Sequence, residues 1–297
     1  VKIAFVTAGS AGAGHLVRGA AVARAVQRAG RSDVVRVFSP PSPFLARVRA
    51  VVDVDEVAVE PALLRDPRTA NDSALARALA AFAPDVVVID VFWVPLVFVT
   101  LPCPAWLLLR SVPPAWLVGP AEARFDVARY ARVFAIEPAP VLARFAALPP
   151  LVIANRDEAQ PRAALLSALR ASGVDVDVDA PLRLIARGGL PSDDDVLVNA
   201  ARARWPAAAV ALLDLADPRA PFPAAPLFAG LGDDDGLVAA PGYNLFWEAR
   251  HMGFAARTTF VPIPRKLDDV AWRAGLDADV APVDNGADVL VRLLARG

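Results

Sequence analysis

His15 is one of only two histidines in the 297-residue chain, and it ends the stretch TAGSAGAGH, residues 7–15, where a strand gives way to a helix. Imidazole moves protons readily near neutral pH, so a histidine at the mouth of a ligand loop is a candidate general base. The glycines before it permit positive φ and close approach of backbone to a ligand, and amides at a helix start favour an anion or a polar oxygen. Two phosphate loops are excluded by spacing. Gly14-His15-Leu16 stands where a Walker loop needs Gly-Lys-Ser/Thr, and Val17 takes the third glycine position of the dinucleotide fingerprint. The second strand also ends in VFSPPS, without an acid to hold a ribose. Gly12, Ala13 and Gly14 therefore read as a loop that admits a hydroxyl to His15. Asp90, at the end of DVVVID, either orients that imidazole or caps its own loop.

A second constellation is GYNLFWEARHMG, residues 242–253. A strand runs into Pro241-Gly242 and a helix begins at Tyr243-Asn244, so the amides of Gly242, Tyr243 and Asn244 can receive phosphate oxygens. Glu248 and His251 follow on one helical face. A carboxylate one turn into such a helix can grip both hydroxyls of a ribose, which makes this stretch a candidate nucleoside diphosphate site. Arg265 reads from its neighbours as half of a surface pair with nearby acids. Gly188 and Gly189 read as an ordinary strand-to-helix turn. The acidic runs Asp193–Asp195 and Asp233–Asp235 fall at a helix start and in a turn, where capping or solvated carboxylates are expected rather than a metal site. Cys103, the single cysteine, lies in LPCPAWLLL and reads as a buried, inert thiol.

The scaffold for these residues is legible from composition and period. With 31 basic against 32 acidic side chains, no bulk charge points to nucleic acid or to an anionic membrane. The length suggests two domains. Short apolar runs alternate with Ala- and Arg-rich segments of helical period, the pattern of parallel sheets covered by helices. Strands are expected at Ile3–Thr7, Val34–Phe38, Val57–Val59, Val86–Ile89, Trp106–Leu109 and Val133–Ile136, then at Leu182–Ala186, Ala208–Leu213, Leu237–Ala240 and Thr259–Pro262. Helices are expected at Gly14–Arg28, Asn71–Phe82 and Ala121–Tyr130, then at Asp194–Arg204, Asn244–Met252, Asp268–Arg273 and Ala287–Ala295. The proline-punctuated stretch EPAPVLARFAALPP divides residues 1–145 from 146–297. The expected fold class is α/β, two Rossmann-like domains whose parallel sheets face an interdomain cleft, with ligands at the carboxyl ends of the strands. Asp90, Pro95, Pro102 and Pro104 cut the apolar run from Val86 to Leu109 into strand-length pieces, so no transmembrane span is expected. The N-terminus reads as a strand rather than a leader, and a cytoplasmic location is expected. Phe92, Trp93, Trp106 and Trp116 group in the first domain, as packing or, if exposed, as a surface for a lipid or aromatic group.

On GSAGAGH in the first half and GYNLFWEARHMG…FVPIPRKLDD in the second, the chain resembles glycosyltransferases of GT-B fold. It is similar to the group of the lipid II-forming N-acetylglucosaminyltransferase and the monogalactosyldiacylglycerol synthases. The resemblance spans nearly the whole chain in element order, and these two motifs are its specific part. It implies metal-independent, inverting hexosyl transfer from a nucleotide sugar, a UDP-sugar, to an acceptor hydroxyl, with no cofactor. His15 would take the acceptor proton with Asp90 beside it, and Gly12, Ala13 and Gly14 would form the acceptor-side loop. Pro241, Gly242, Tyr243 and Asn244 would hold phosphate and Glu248 the ribose, with Gly188, Gly189, Arg265, Asp268 and Asp269 completing the donor site. The family commonly has glutamine after the late acidic residue, where this chain has Asp268-Asp269-Val270, leaving sugar recognition open. The implied partners are the donor and a small-molecule or lipid-linked acceptor, with no nucleic acid and peripheral membrane contact left open. Two rival readings share the architecture. One is a non-catalytic nucleotide-binding partner or regulator, which the missing glutamine favours. The other is a sugar-nucleotide epimerase, for which two histidines and one aspartate are few.

Overall fold

The structure is a computed structural model that describes residues 1–7, 13–120, 123–177, 179–188, 191–265, 270–276 and 283–296. The chain forms two compact units, Val1–Leu151 with Gly286–Gly297, and Val152–Asn285.

Unit 1 is built on strands β1 (Lys2–Val6), β2 (Val34–Ser39), β3 (Asp53–Glu56), β4 (Val86–Asp90), β5 (Ala105–Leu109), β6 (Arg132–Ala135) and β7 (Ala146–Ala147). They form one parallel sheet in the order β3-β2-β1-β4-β5-β6-β7. The central strands VVVID and AWLLL are buried throughout, as expected where both faces of a parallel sheet are covered. The strand order reverses between β1 and β4, the crevice where ligands of open α/β sheets bind. Its helices before β6 are α1 (Gly14–Arg28), α2 (Leu45–Val48), α3 (Pro61–Leu64) and α4 (Ala74–Phe82). Ser73 caps α4, its hydroxyl accepting from the Ala76 amide at 3.2 Å.

Unit 2 holds, in chain order, α5 (Arg162–Ala171), β8 (Arg183–Arg187), α6 (Asp194–Arg204), β9 (Ala211–Asp214), α7 (Ala225–Phe228), β10 (Gly236–Ala239), α8 (Tyr243–Met252), β11 (Thr258–Phe260) and α9 (Val270–Ala274). Its sheet is parallel in the order β11-β10-β8-β9, and here the order reverses between β8 and β10.

Some expectations change. The third strand is DVDE at Asp53–Glu56 rather than the apolar Val57–Val59, because it is an edge strand that pairs only with β2 and carries charge. No long helix fills the described part of 121–130. There, Asp126 caps a single turn at Val127–Arg129, and Phe125 packs on Trp93 at 5.2 Å between ring centres. The last helix, α10 (Gly286–Leu294), belongs to unit 1 rather than to the second half. The Gly286 amide donates to the Pro150 carbonyl at 2.8 Å, and Arg28 Nη2 on α1 donates to Asp288 at 2.7 Å. Among the described residues, no helix is long and apolar enough to cross a membrane.

Candidate functional site

Small residues bring α1 close to the sheet. A Cβ on Gly19 would lie 2.7 Å from Val37 Cγ2 and 3.1 Å from Phe5, so glycine is required for this approach. The helix that follows β1 thus starts over the β1–β4 crevice, and its first turns carry His15 and Arg18 on one face. Both side chains are buried, and both reach Asp90 at the end of β4, which is fully buried.

His15 Nδ1 lies 2.6 Å from Asp90 Oδ2. Asp90, expected either to orient the imidazole or to cap its own loop, thus contacts His15. Arg18 grips the same carboxylate, Nε donating to Oδ1 at 2.9 Å and Nη2 to Oδ2 at 2.9 Å. Burial pushes the Asp90 carboxyl up, but the charges of Arg18 and then His15 outweigh it and hold it down at about 2. For His15, burial is the strongest influence and lowers its pKa; Asp90 raises it, while Arg18 and Arg110 lower it, and the net direction is down. A neutral imidazole that donates Nδ1–H to a carboxylate keeps its lone pair on Nε2, the form a general base needs.

The loops after β4 and β5 bring Phe92 and Arg110 to His15, and the residues after β5 and β6 are tied to each other. Glu137 accepts from the Ser111 amide at 2.6 Å, both buried. Val91, directly after Asp90, has φ of 66°, a left-handed conformation that strains a β-branched residue by about 1–3 kcal/mol. Its amide is tied to the Leu108 carbonyl at 2.9 Å, and the turn carries Phe92 to 4.9 Å from the His15 ring. Trp116 meets Phe92 edge-on at 5.4 Å. Of the four aromatic residues expected to group, Phe92 and Trp116 meet each other, while Trp93 packs on Phe125 and Trp106 on Phe134. Cys103 is only partly buried, and burial followed by the charge of Asp85 raises its thiol.

In unit 2, Gly188 follows β8 and Pro241-Gly242 follows β10, its neighbour, so these residues share the carboxyl ends of adjacent strands. Gly242 is the N-cap of α8, and a Cβ there would meet nothing within 4 Å, so packing does not demand the glycine. Arg273, fully buried on α9, donates from Nη1 to the Pro241 carbonyl at 2.9 Å and pins the turn. Tyr243 is buried and Asn244 half-buried. Glu248 is buried on α8, where desolvation raises its carboxyl to about 7 against a hydrogen bond from the Ile153 amide. His251, on the same face, has Nδ1 at 2.7 Å from the Val283 carbonyl.

In the acidic runs Asp195, Asp233 and Asp234 are exposed, as expected, while Asp193 and Asp235 are buried and paired. Asp193 is buried at the start of α6 and accepts from Arg265, which answers where that arginine's charge goes. Arg187 donates to Asp194 at 2.8 Å and also to Asp214. Asp235 is buried and accepts from the Leu182 amide at 2.7 Å and from Arg162 Nε at 3.0 Å. Of the expected site residues, Gly12, Gly189, Asp268 and Asp269 lie outside the described residues. Sequence reasoning missed Arg18 and Arg273. The signal for Arg18 was its place one turn after His15.

No family model matches the sequence, and no curated protein matches it. Solved structures do. The spinosyn forosaminyltransferase SpnP aligns with a TM-score of 0.55 at 16% identity, over 99% of this chain and 90% of that one. The spinosyn rhamnosyltransferase SpnG, solved with spinosyn aglycone, gives 0.53 at 14% identity, over 99% and 92%. UGT2 of Phytolacca americana, solved with UDP-2fluoro-glucose and pterostilbene, gives 0.51 at 13% identity, over 99% and 90%. The chain has the fold of GT-B glycosyltransferases. The likeness is one of fold, with the His15–Asp90 pair and the α8 turn as this chain's own features on it.

Proposed function

We propose that the protein is a glycosyltransferase that moves a hexosyl group from a UDP-sugar to an acceptor hydroxyl, with inversion and without a metal. The observation that carries this reading is the buried His15–Asp90 pair, 2.6 Å apart at the order reversal of the unit 1 sheet, in a fold shared with sugar-transferring enzymes. His15 Nε2 takes the acceptor proton as the acceptor oxygen bonds to the anomeric carbon. The bond from that carbon to the diphosphate breaks, and the diphosphate leaves with the electron pair. Asp90 orients the imidazole and stabilises the imidazolium that forms. Gly14 and Ala13, with Gly12, give the acceptor its approach.

Donor binding falls to unit 2. Amides at Tyr243 and Asn244 meet the diphosphate at the N-terminus of α8; Pro241, Gly188 and Gly242, whose own amide is donated to the Ala240 carbonyl at 2.8 Å, shape the adjoining turns, and Glu248 takes the ribose. Arg265 is held by Asp193, and a role at the leaving group requires that pair to open. The donor is a substrate and no cofactor is needed. A cytoplasmic place suits an enzyme that consumes it, with a small-molecule or lipid-linked acceptor.

Isothermal titration with UDP tests the donor site. Binding with Kd of order micromolar is expected in wild type and His15→Ala, and at least about tenfold weaker binding, ~1.4 kcal/mol, in Glu248→Ala. Silence with UDP, thymidine diphosphate and guanosine diphosphate alike overturns the reading.

A further inference from the structure

We propose that Arg18 is a positioning residue for His15: by gripping both oxygens of Asp90 it fixes that carboxylate, and through it the orientation and the Nδ1–H tautomer of the imidazole. This rests on His15 being the base, yet the place of the ring proton can be measured whatever the sugar or acceptor.

Arg18 is 1% exposed. Its Nε lies 2.9 Å from Oδ1 and 3.1 Å from Oδ2 of Asp90, and Nη2 lies 2.9 Å from Oδ2. A carboxylate held by one bond can turn about its terminal torsion, whereas a planar guanidinium that reaches both oxygens sets the plane. The same Nη2 is 2.8 Å from His15 Nδ1, so this ring nitrogen meets a carboxylate oxygen and a guanidinium nitrogen together. Nδ1 can satisfy only one of them, with a proton toward Asp90 or a lone pair toward Arg18. A lone pair would leave two acceptors 2.6 Å apart in a buried site, while Arg18 already has its donors on Asp90. The proton therefore belongs on Nδ1.

Charge acts in the same sense. The groups that face the imidazole are Arg18 on α1, Asp90 at the end of β4 and Arg110 after β5, beside the uncharged Phe92 ring. Glu137, after β6, is bonded to the Ser111 amide, and the segment 8–12, AGSAG, carries no ionisable side chain. With Arg18 present, the carboxylate is shared between a guanidinium and the ring. Without it, Asp90 favours the protonated imidazole more strongly, and the lone pair at Nε2 is lost at a higher pH than in wild type. Arg18 is too deeply buried to serve as a substrate ligand, with Nε and Nη2 turned to Asp90, which separates positioning from direct catalysis.

The test is nitrogen NMR of the full chain labelled at histidine, with His15→Gln assigning which of the two ring systems is His15. In wild type at pH 7.5, the proton is expected on Nδ1, with titration below the ordinary 6.5. Arg18→Gln is expected to raise the His15 titration by about one pH unit, and to move the acid limb of any transferase activity with it. Arg18→Lys keeps the charge but not the two-oxygen grip, so its titration stays near wild type while both tautomers become populated. A proton on Nε2 in wild type overturns the proposal, as does an Arg18→Gln protein with the wild-type tautomer and titration. If Arg18→Gln does not fold, Arg18→Lys decides, and an unchanged ring spectrum there is fatal. Backbone amide resonances of β1 and β4 report an intact unit 1 in each variant. If nucleotides fail to bind while the ring results hold, the transferase reading falls and the placement of the proton by Arg18 stands.

Discussion

Glu248 is a carboxyl whose surroundings oppose its charge. Removal from water raises it from 4.5 to about 7, with the Ile153 amide pulling the other way. Between those values the native protein holds a proton that the unfolded chain has released, so this group's contribution is present below 4.5 and is lost as pH rises to 7. The shift is worth about 3 kcal/mol. Glu248→Gln keeps the shape and removes the charge. At pH 8 it should resist urea better than wild type by up to about 3 kcal/mol, and the two should converge below pH 4.5. Affinity should move the other way. An ionised carboxylate accepts from ribose hydroxyls better than a neutral amide, so the variant binds UDP more weakly, and wild-type binding strengthens from pH 6 to pH 8. A titration series that is flat across this range separates Glu248 from the ribose.

At the scale of elements, α10 is the piece whose partner matters most. Ala287, Leu290, Val291 and Leu294 are buried, and the helix packs on α1, which carries His15 and Arg18. Leu290→Ala should therefore cost about 2–5 kcal/mol and raise hydrogen exchange in α1 and β1, leaving α8 and β10 as in wild type. Exchange that rises in unit 2 instead would reassign the helix. Gly286→Ala should destabilise the same unit, because its Cβ would fall 1.8 Å from the Pro149 carbonyl oxygen. The period of 287–295 showed a helix but not which sheet it covers, since an apolar face does not name its partner. Helix α1 was legible to the residue because its small-residue face and flanking turn agree. The edge strand DVDE was not, since its register pairs Arg36 with Asp53 and sets Arg36 3.5 Å from Asp55, a charge pattern that resembles a loop. Helix α5 was overlooked although Leu165, Leu166 and Leu169 recur at helical spacing. At the site, His15 and Asp90 could be chosen by residue type. Arg18 shares the helix face of His15 one turn on, but one arginine among many acquires meaning only when β4 pairs with β1 and brings a carboxylate to it.

For the whole molecule, the two units should respond to pH with opposite sign. In unit 1, the native His15 imidazole resists protonation, so the unfolded state binds more protons below 6.5 and stability is lost as pH falls. Asp90, held at about 2 against an ordinary 3.8, adds a loss in the same direction only at more acid pH. In unit 2, Glu248 makes stability fall as pH rises from 4.5 to about 7. Asp235 there is held below 3.8 by Arg162 and backbone amides against the effect of burial, so its influence lies beneath that window. From pH 5 to pH 7, β1, β4 and α1 should become better protected against hydrogen exchange, after correction for the intrinsic rate, while β10 and α8 become less protected. His15→Gln should flatten the first slope alone and Glu248→Gln the second alone. Protection that rises or falls together in both units would mean that a group other than these two sets the pH response, and would remove the physical basis for assigning proton transfer to one unit and ribose binding to the other.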